Sequence, residues 1–162
     1  MSDGAERLRT LRTRLLSLAA MHSDRRVNEQ LARADARKWH YAVLATLDEF
    51  GPASQAQLSD RTRVYRSDLV AVLNELADRG QVDRAPDPAD KRRNLVRITT
   101  AGRRQLRRLD KILAAVDDEV FAPLDPAQRA QLTDLLTILV DRQGEPHGER
   151  HGEPRNDRGG SS

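Results

Sequence analysis

The chain has 162 residues, 38% hydrophobic and 33% charged, which is room for one sizeable core and excludes a large multidomain enzyme. It contains no cysteine, so disulfides, thiol redox chemistry and Cys-ligated zinc are excluded, and its longest apolar run, Trp39 to Leu47, is far too short to span a bilayer. The net charge of +3 hides a basic block: residues 61–108 carry thirteen cations against six anions, residues 109–142 three against seven, and 25 of the 28 cations are arginine.

Leu8, Leu11, Leu15 and Leu18 recur at three and four residues, which predicts a first helix from about Glu6 with one apolar stripe. Trp39, Val43, Leu44 and Leu47 mark a second helix from about Ala36, stopped by Gly51-Pro52. Ser54 with Gln57 forms a capping box for a short third helix ending near Arg61 or Thr62. A fourth, about Arg66 to Asp78, buries Leu69, Val72, Leu73 and Leu76 and stops at Gly80. The period then changes: Val82 to Arg84 and Leu95 to Thr99 read as short strands around a turn-rich, basic tip. Thr99 caps a fifth helix with a seam at Leu106, Leu109, Leu113, Val116 and Val120. Asp125-Pro126 opens a sixth that buries Leu132, Leu135, Leu136 and Leu139. From Gln143 apolar content collapses, and residues 143–162 read as a disordered tail.

The fold class that follows is mainly α with a small β-hairpin, a winged helix-turn-helix spanning residues 36–100. In that layout the second helix of the pair enters the major groove of DNA. Its face away from the core presents Tyr65, Arg66, Ser67, Asp68, Val70, Ala71 and Asn74, mixing polar groups with methyls that suit a thymine methyl. A basic block in a near-neutral chain fits a polyanion, because each neutralised phosphate releases counterions; an ordinary solvated face is the alternative.

Three stretches resemble the MarR-type transcriptional regulators of bacteria. Gly51-Pro52-Ala53-Ser54-Gln55-Ala56-Gln57-Leu58 looks like that family's entry into its first DNA-binding helix, and Val64-Tyr65-Arg66-Ser67-Asp68-Leu69 like the start of its recognition helix. Asp87 to Arg93, followed by Leu95-Val96-Arg97-Ile98-Thr99-Thr100-Ala101-Gly102, resembles its wing and the opening of its next helix. The likeness covers residues 36–142. It implies DNA contacts from Ser54, Gln55, residues of the recognition helix, Lys91, Arg92 and Arg93, with Arg92 reaching into the minor groove and Asp90 holding its guanidinium. Arg63 stands where the family commonly has glycine and Thr62 where it has leucine. Val70 and Ala71 replace a common threonine and arginine, which shifts weight onto Arg66, Ser67 and the wing.

The apolar stripes at the two ends imply a homodimer, with residues 1–35 and 101–142 as dimerisation helices through Leu8, Leu11, Leu15, Leu18, Val116, Val120, Leu132, Leu136 and Leu139; intrachain packing is the alternative. A two-fold dimer would present two recognition helices about 34 to 36 Å apart and so read an imperfect inverted repeat in double-stranded DNA. The resemblance also implies a small aromatic or anionic effector, for which His22, Trp39 and His40 offer a lining. With five aromatics in all, Trp39 reads first as core, and His40 would titrate near neutrality if exposed. No cofactor or metal is expected: His147, Glu149 and His151 sit among Pro146, Gly148 and Gly152. Nothing assembles a nucleophile, base and oxyanion site, so no catalysis is expected and the chain reads as a cytoplasmic transcriptional repressor; a winged-helix module for an acidic protein partner is the rival.

Overall fold

The computed structural model describes residues 5–143. The chain divides into two units at residues 122 and 123. The first holds helices α1 (Glu6–Arg9), α2 (Arg12–Ala32), α3 (Lys38–Phe50), α4 (Gln55–Thr62) and α5 (Arg66–Asp78), strands β1 (Val82–Pro86) and β2 (Asn94–Ile98), and helix α6 (Thr100–Val120). The second holds α7 (Pro126–Gln143). No helix among the described residues is long and apolar enough to cross a membrane.

The expected first helix is broken. α1 ends at Arg9, Leu11 is extended (φ −74°, ψ 107°), and α2 restarts at Arg12, a break that the leucine spacing does not reveal. Leu8, Leu11, Leu15 and Leu18 all stay exposed.

One core unites α3 (Val43, Leu44, Leu47), α4 (Leu58), α5 (Leu69, Val72, Leu73, Leu76), the hairpin (Val82, Val96, Ile98) and Leu106 of α6. Each fully buried leucine contributes about 2 kcal/mol of transfer free energy. A second cluster, Leu31, Ala34, Ala36 and Leu109, joins the end of α2 to α6. The strands pair antiparallel with Val82 opposite Ile98 and Pro86 opposite Asn94, and Ala53 bridges Val96 on the other edge of β2. That bridge fixes α4 to the wing through two backbone hydrogen bonds of 3.1 and 2.8 Å.

The caps follow the sequence. Ser54 and Gln57 satisfy each other's backbone N–H, Thr99 Oγ1 accepts from Gly102 N–H (3.0 Å), and Asp125 and Gln128 do likewise at α7. The chain leaves α5 through Gly80 at φ +66°, a left-handed turn that glycine adopts without steric cost. β1 runs two residues further than the Val82 to Arg84 expected. β2 ends at Ile98 because Thr99 is spent as the α6 cap.

Two packing expectations are corrected. Val116 is 4% exposed, and faces the chain's own interior with Leu106 and Leu109, because α6 packs along α2; Val120 is half-buried. In α7, Leu135 and Leu139 are exposed and Leu132 and Leu136 half-buried, so none of the four expected to form a buried stripe is fully buried. The tail from 144 onward, including His147, Glu149 and His151, lies outside the described residues.

Candidate nucleic-acid interface

The α4–α5 pair is joined at Arg63, which adopts the left-handed conformation (φ 56°, ψ 23°) that the expected glycine would take freely. Thr62 secures this turn from both sides: its hydroxyl donates to Leu58 O (2.6 Å) and accepts from Val64 N–H (3.3 Å). Ser59 donates to Val64 O (2.6 Å), and Val64 closes the turn onto the core. Arginine thus replaces glycine at the cost of backbone strain of about 1 kcal/mol, with local hydrogen bonds holding it there.

α5 starts at Arg66 with no side-chain cap from Tyr65, leaving the first backbone N–H groups of the helix without an intrahelical or capping partner. Such N–H groups, at the positive end of the helix dipole, suit a phosphate. Tyr65 is 79% exposed, and Arg66, Ser67, Asp68, Val70, Ala71 and Asn74 share its exposure, while Leu69, Val72, Leu73 and Leu76 are buried. The face anticipated for base reading is therefore uncovered. Asn74 is committed in part, its Oδ1 accepting from Arg84 of β1 (2.9 Å). Arg84 went unrecognised in the sequence because the contact joins two elements through a turn and follows no local period.

The wing tip is ordered by its own aspartates. Asp87 Oδ1 accepts from Ala89 N–H, and Asp87 N–H reaches the Arg93 carbonyl (2.8 Å). Asp90 Oδ1 accepts from both the backbone N–H (3.1 Å) and Nε (3.4 Å) of Arg92, whose side chain is 94% exposed. The expected pair is present: a carboxylate restrains Nε of a guanidinium whose outer end is exposed. Lys91 and Arg93 are also exposed. At the wing's stem Asp83 and Arg97, directly opposite across the strands, form a two-point ion pair at 2.9 and 3.3 Å.

Ser54 departs from its expected role. It is 6% exposed and its hydroxyl caps α4, with the Arg93 guanidinium 3.5 Å away, so it organises the interface from behind. Gln55 beside it is exposed. Arg61 of α4 lies over the Phe50 ring at 4.6 Å, a cation–π contact that sequence spacing did not signal.

His22, Trp39 and His40 do not share a cavity. His22 is exposed on α2, and Trp39, expected first as core, is 42% exposed beside a cavity of about 350 Å³ with Asn28, Ala32, Ala36, Arg37 and Lys38. His40 is 1% exposed and lines a separate cavity of about 210 Å³ with Ala32, Asp35, Ala36, Arg37 and Arg79. Burial drives its pKa below the usual imidazole value, against the opposing pull of Glu75. Glu75 in turn is held below the usual carboxylate range, chiefly by hydrogen bonding from Arg37 and then by His40.

The model of the MarR family matches residues 35–93. Over 129 residues the chain is 31% identical to an HTH-type transcriptional regulator of Mycobacterium bovis, a match covering 78% of this chain and 90% of that protein. It spans less of two other curated relatives, 63% and 64% of their lengths. One of these is the HTH-type transcriptional repressor NicR of Pseudomonas putida, 27% identical over 101 residues that make up 62% of this chain. Among solved structures, the PcaV transcriptional regulator of Streptomyces coelicolor in complex with its natural ligand aligns with a TM-score of 0.74 at 28% identity, covering 88% of this chain and 99% of that one.

Proposed function

The chain belongs to the MarR family, and on that premise we propose that it is a homodimeric, sequence-specific binder of double-stranded DNA that regulates transcription as a repressor. The observation that carries this reading is the pairing of an uncovered α5 face with an exposed wing arginine held by its own aspartate. The helix supplies groove-sized base contacts and the wing a cation for the narrow minor groove, where potential is most negative. Because Val70 and Ala71 offer no hydrogen bonds, Arg66, Ser67 and phosphate contacts carry most of the affinity.

Residues 36–100 form the DNA-binding part in this proposal, and the exposed leucines of α1, α2 and α7 bury themselves against a second copy. Unpartnered stripes of this kind favour association between like chains. Val116 is withdrawn from that surface, being already buried within the chain. A small aromatic or anionic effector would enter beside Trp39, where Arg37 and Lys38 supply positive charge and PcaV's complex with its natural ligand gives a family precedent. The protein would act in the cytoplasm and without catalysis.

Selection of bound fragments from random duplex DNA tests the reading. The wild-type chain should enrich an imperfect inverted repeat, and Arg92→Ala should bind it about tenfold more weakly with a shallower salt dependence. Enrichment of no repeat would favour an acidic protein partner instead.

A further inference from the structure

Glu75 lies on the flank of α5, one residue beyond Asn74 and away from the exposed reading face. Its carboxylate is gripped from the start of α3. The Arg37 guanidinium donates to both Glu75 oxygens at 2.6 Å, and His40 Nε2 lies 2.7 Å from Oε2. His40 Nδ1 accepts the Arg37 backbone N–H at 3.0 Å, which satisfies a free donor at the N-terminus of α3. That acceptance fixes the tautomer: Nδ1 carries no hydrogen, so the single ring proton sits on Nε2 and points at Glu75.

We infer that Glu75 is a positioning residue for DNA recognition, fastening the recognition helix to the N-terminus of α3 through Arg37 and a His40 that must stay neutral. The inference rests on the DNA-binding reading above. A second proton on the ring would place a hydrogen at Nδ1 facing the Arg37 N–H. The α3 cap must then break, while the Nε2 hydrogen keeps its contact with Glu75, so Arg37, which also grips Glu75, loses its fixed backbone position and the anchor of α5 slackens on that flank. The groups around the ring are Glu75 on α5, Arg37 at the head of α3, and Arg79 just after α5, itself bound to Asp35 of the α2–α3 connection. Burial first, and then the Arg79 and Arg37 guanidiniums, oppose a further positive charge against the pull of Glu75, so the anchor persists below the free imidazole value and is lost as the pH falls through the lowered one.

The test is fluorescence anisotropy with the duplex that the wild-type chain selects, from about pH 7.5 down to about pH 5. Circular dichroism and light scattering at each pH confirm an unchanged fold and mass. Wild-type affinity should fall on the order of tenfold across the range. His40→Ala and Glu75→Ala should bind on the order of tenfold more weakly than wild type already at the upper end. The conservative His40→Gln, which keeps an amide donor and an acceptor but cannot titrate, should restore most of the affinity His40→Ala loses and flatten the pH profile. Parallel profiles for wild type and His40→Gln, or full affinity in Glu75→Ala, would overturn the inference while leaving DNA binding intact. Selection of no duplex by the wild-type chain would remove the DNA-binding reading itself, and this inference with it.

Discussion

Gly102→Ala is a substitution for which helix propensity and packing predict opposite signs. Gly102 is the third residue of α6, where alanine would gain up to about 1 kcal/mol of intrinsic helix stability. A Cβ at that position, however, would clash with the Gln81 carbonyl oxygen and meet Ile98 Cγ1 at 2.8 Å. The oxygen is backbone at the entrance to β1 and accepts from Thr99 N–H at 3.1 Å, so it cannot swing aside as a flexible side chain would. Relief requires α6 to shift off the wing's base, weakening the Thr99 cap, worth about 1 kcal/mol, and adding about 1–3 kcal/mol of overpacking strain. After the propensity gain is subtracted, the variant should be less stable by about 1–3 kcal/mol. Urea unfolding followed by circular dichroism reads this as a lower midpoint at unchanged slope. A variant as stable as wild type, or more so, would refute the argument that the wing is seated by direct backbone contact with α6.

Two further predictions concern the turn and the buried imidazole. Arg63→Gly should relieve the left-handed strain, offset in part by the extra freedom glycine has when unfolded, for a net gain of no more than about 0.6 kcal/mol in the same unfolding assay; a loss above about 1 kcal/mol would mean that arginine's own contacts outweigh the strain. Because the folded His40 pKa lies below the unfolded value of 6.5, its stabilising contribution is complete above that pH and is lost as the pH falls through the lowered folded value. The stability difference between wild type and His40→Gln should therefore be constant above that window, and wild type should lose stability relative to His40→Gln as the pH falls through it; parallel curves throughout would contradict the buried neutral assignment.

The sequence was legible where a local rule governs. Periodicity marked Leu69, Val72, Leu73 and Leu76 as the buried face of α5, and side-chain caps placed the starts of α4, α6 and α7 at Ser54, Thr99 and Asp125. The wing pair was legible too, because Asp90 and Arg92 are two residues apart and their turn is built from local hydrogen bonds. What escaped depends on tertiary proximity. Val116 has the spacing of a dimer seam but is claimed by the chain's own α2, whose continuation to Ala32 the leucine stripe did not reveal. Ser54 has a suitable hydroxyl for DNA, but the capping bond that orders α4 engages and buries it. Trp39 and His40 are neighbours in sequence with opposite fates, since successive helical residues point about 100° apart: one faces outward, and the other turns in toward Glu75, 35 residues away. The Arg84–Asn74 contact is likewise a product of folding, joining strand to helix.

The central claim is that two copies of α5, held by a two-fold dimer, read successive major grooves on one face of DNA. Its most direct test is the affinity of the purified protein for its selected inverted repeat before and after about 5 base pairs, half a helical turn, are inserted between the half-sites. Binding should fall by about a hundredfold or more, toward that of an isolated half-site. Unchanged affinity for the lengthened duplex would contradict the claim.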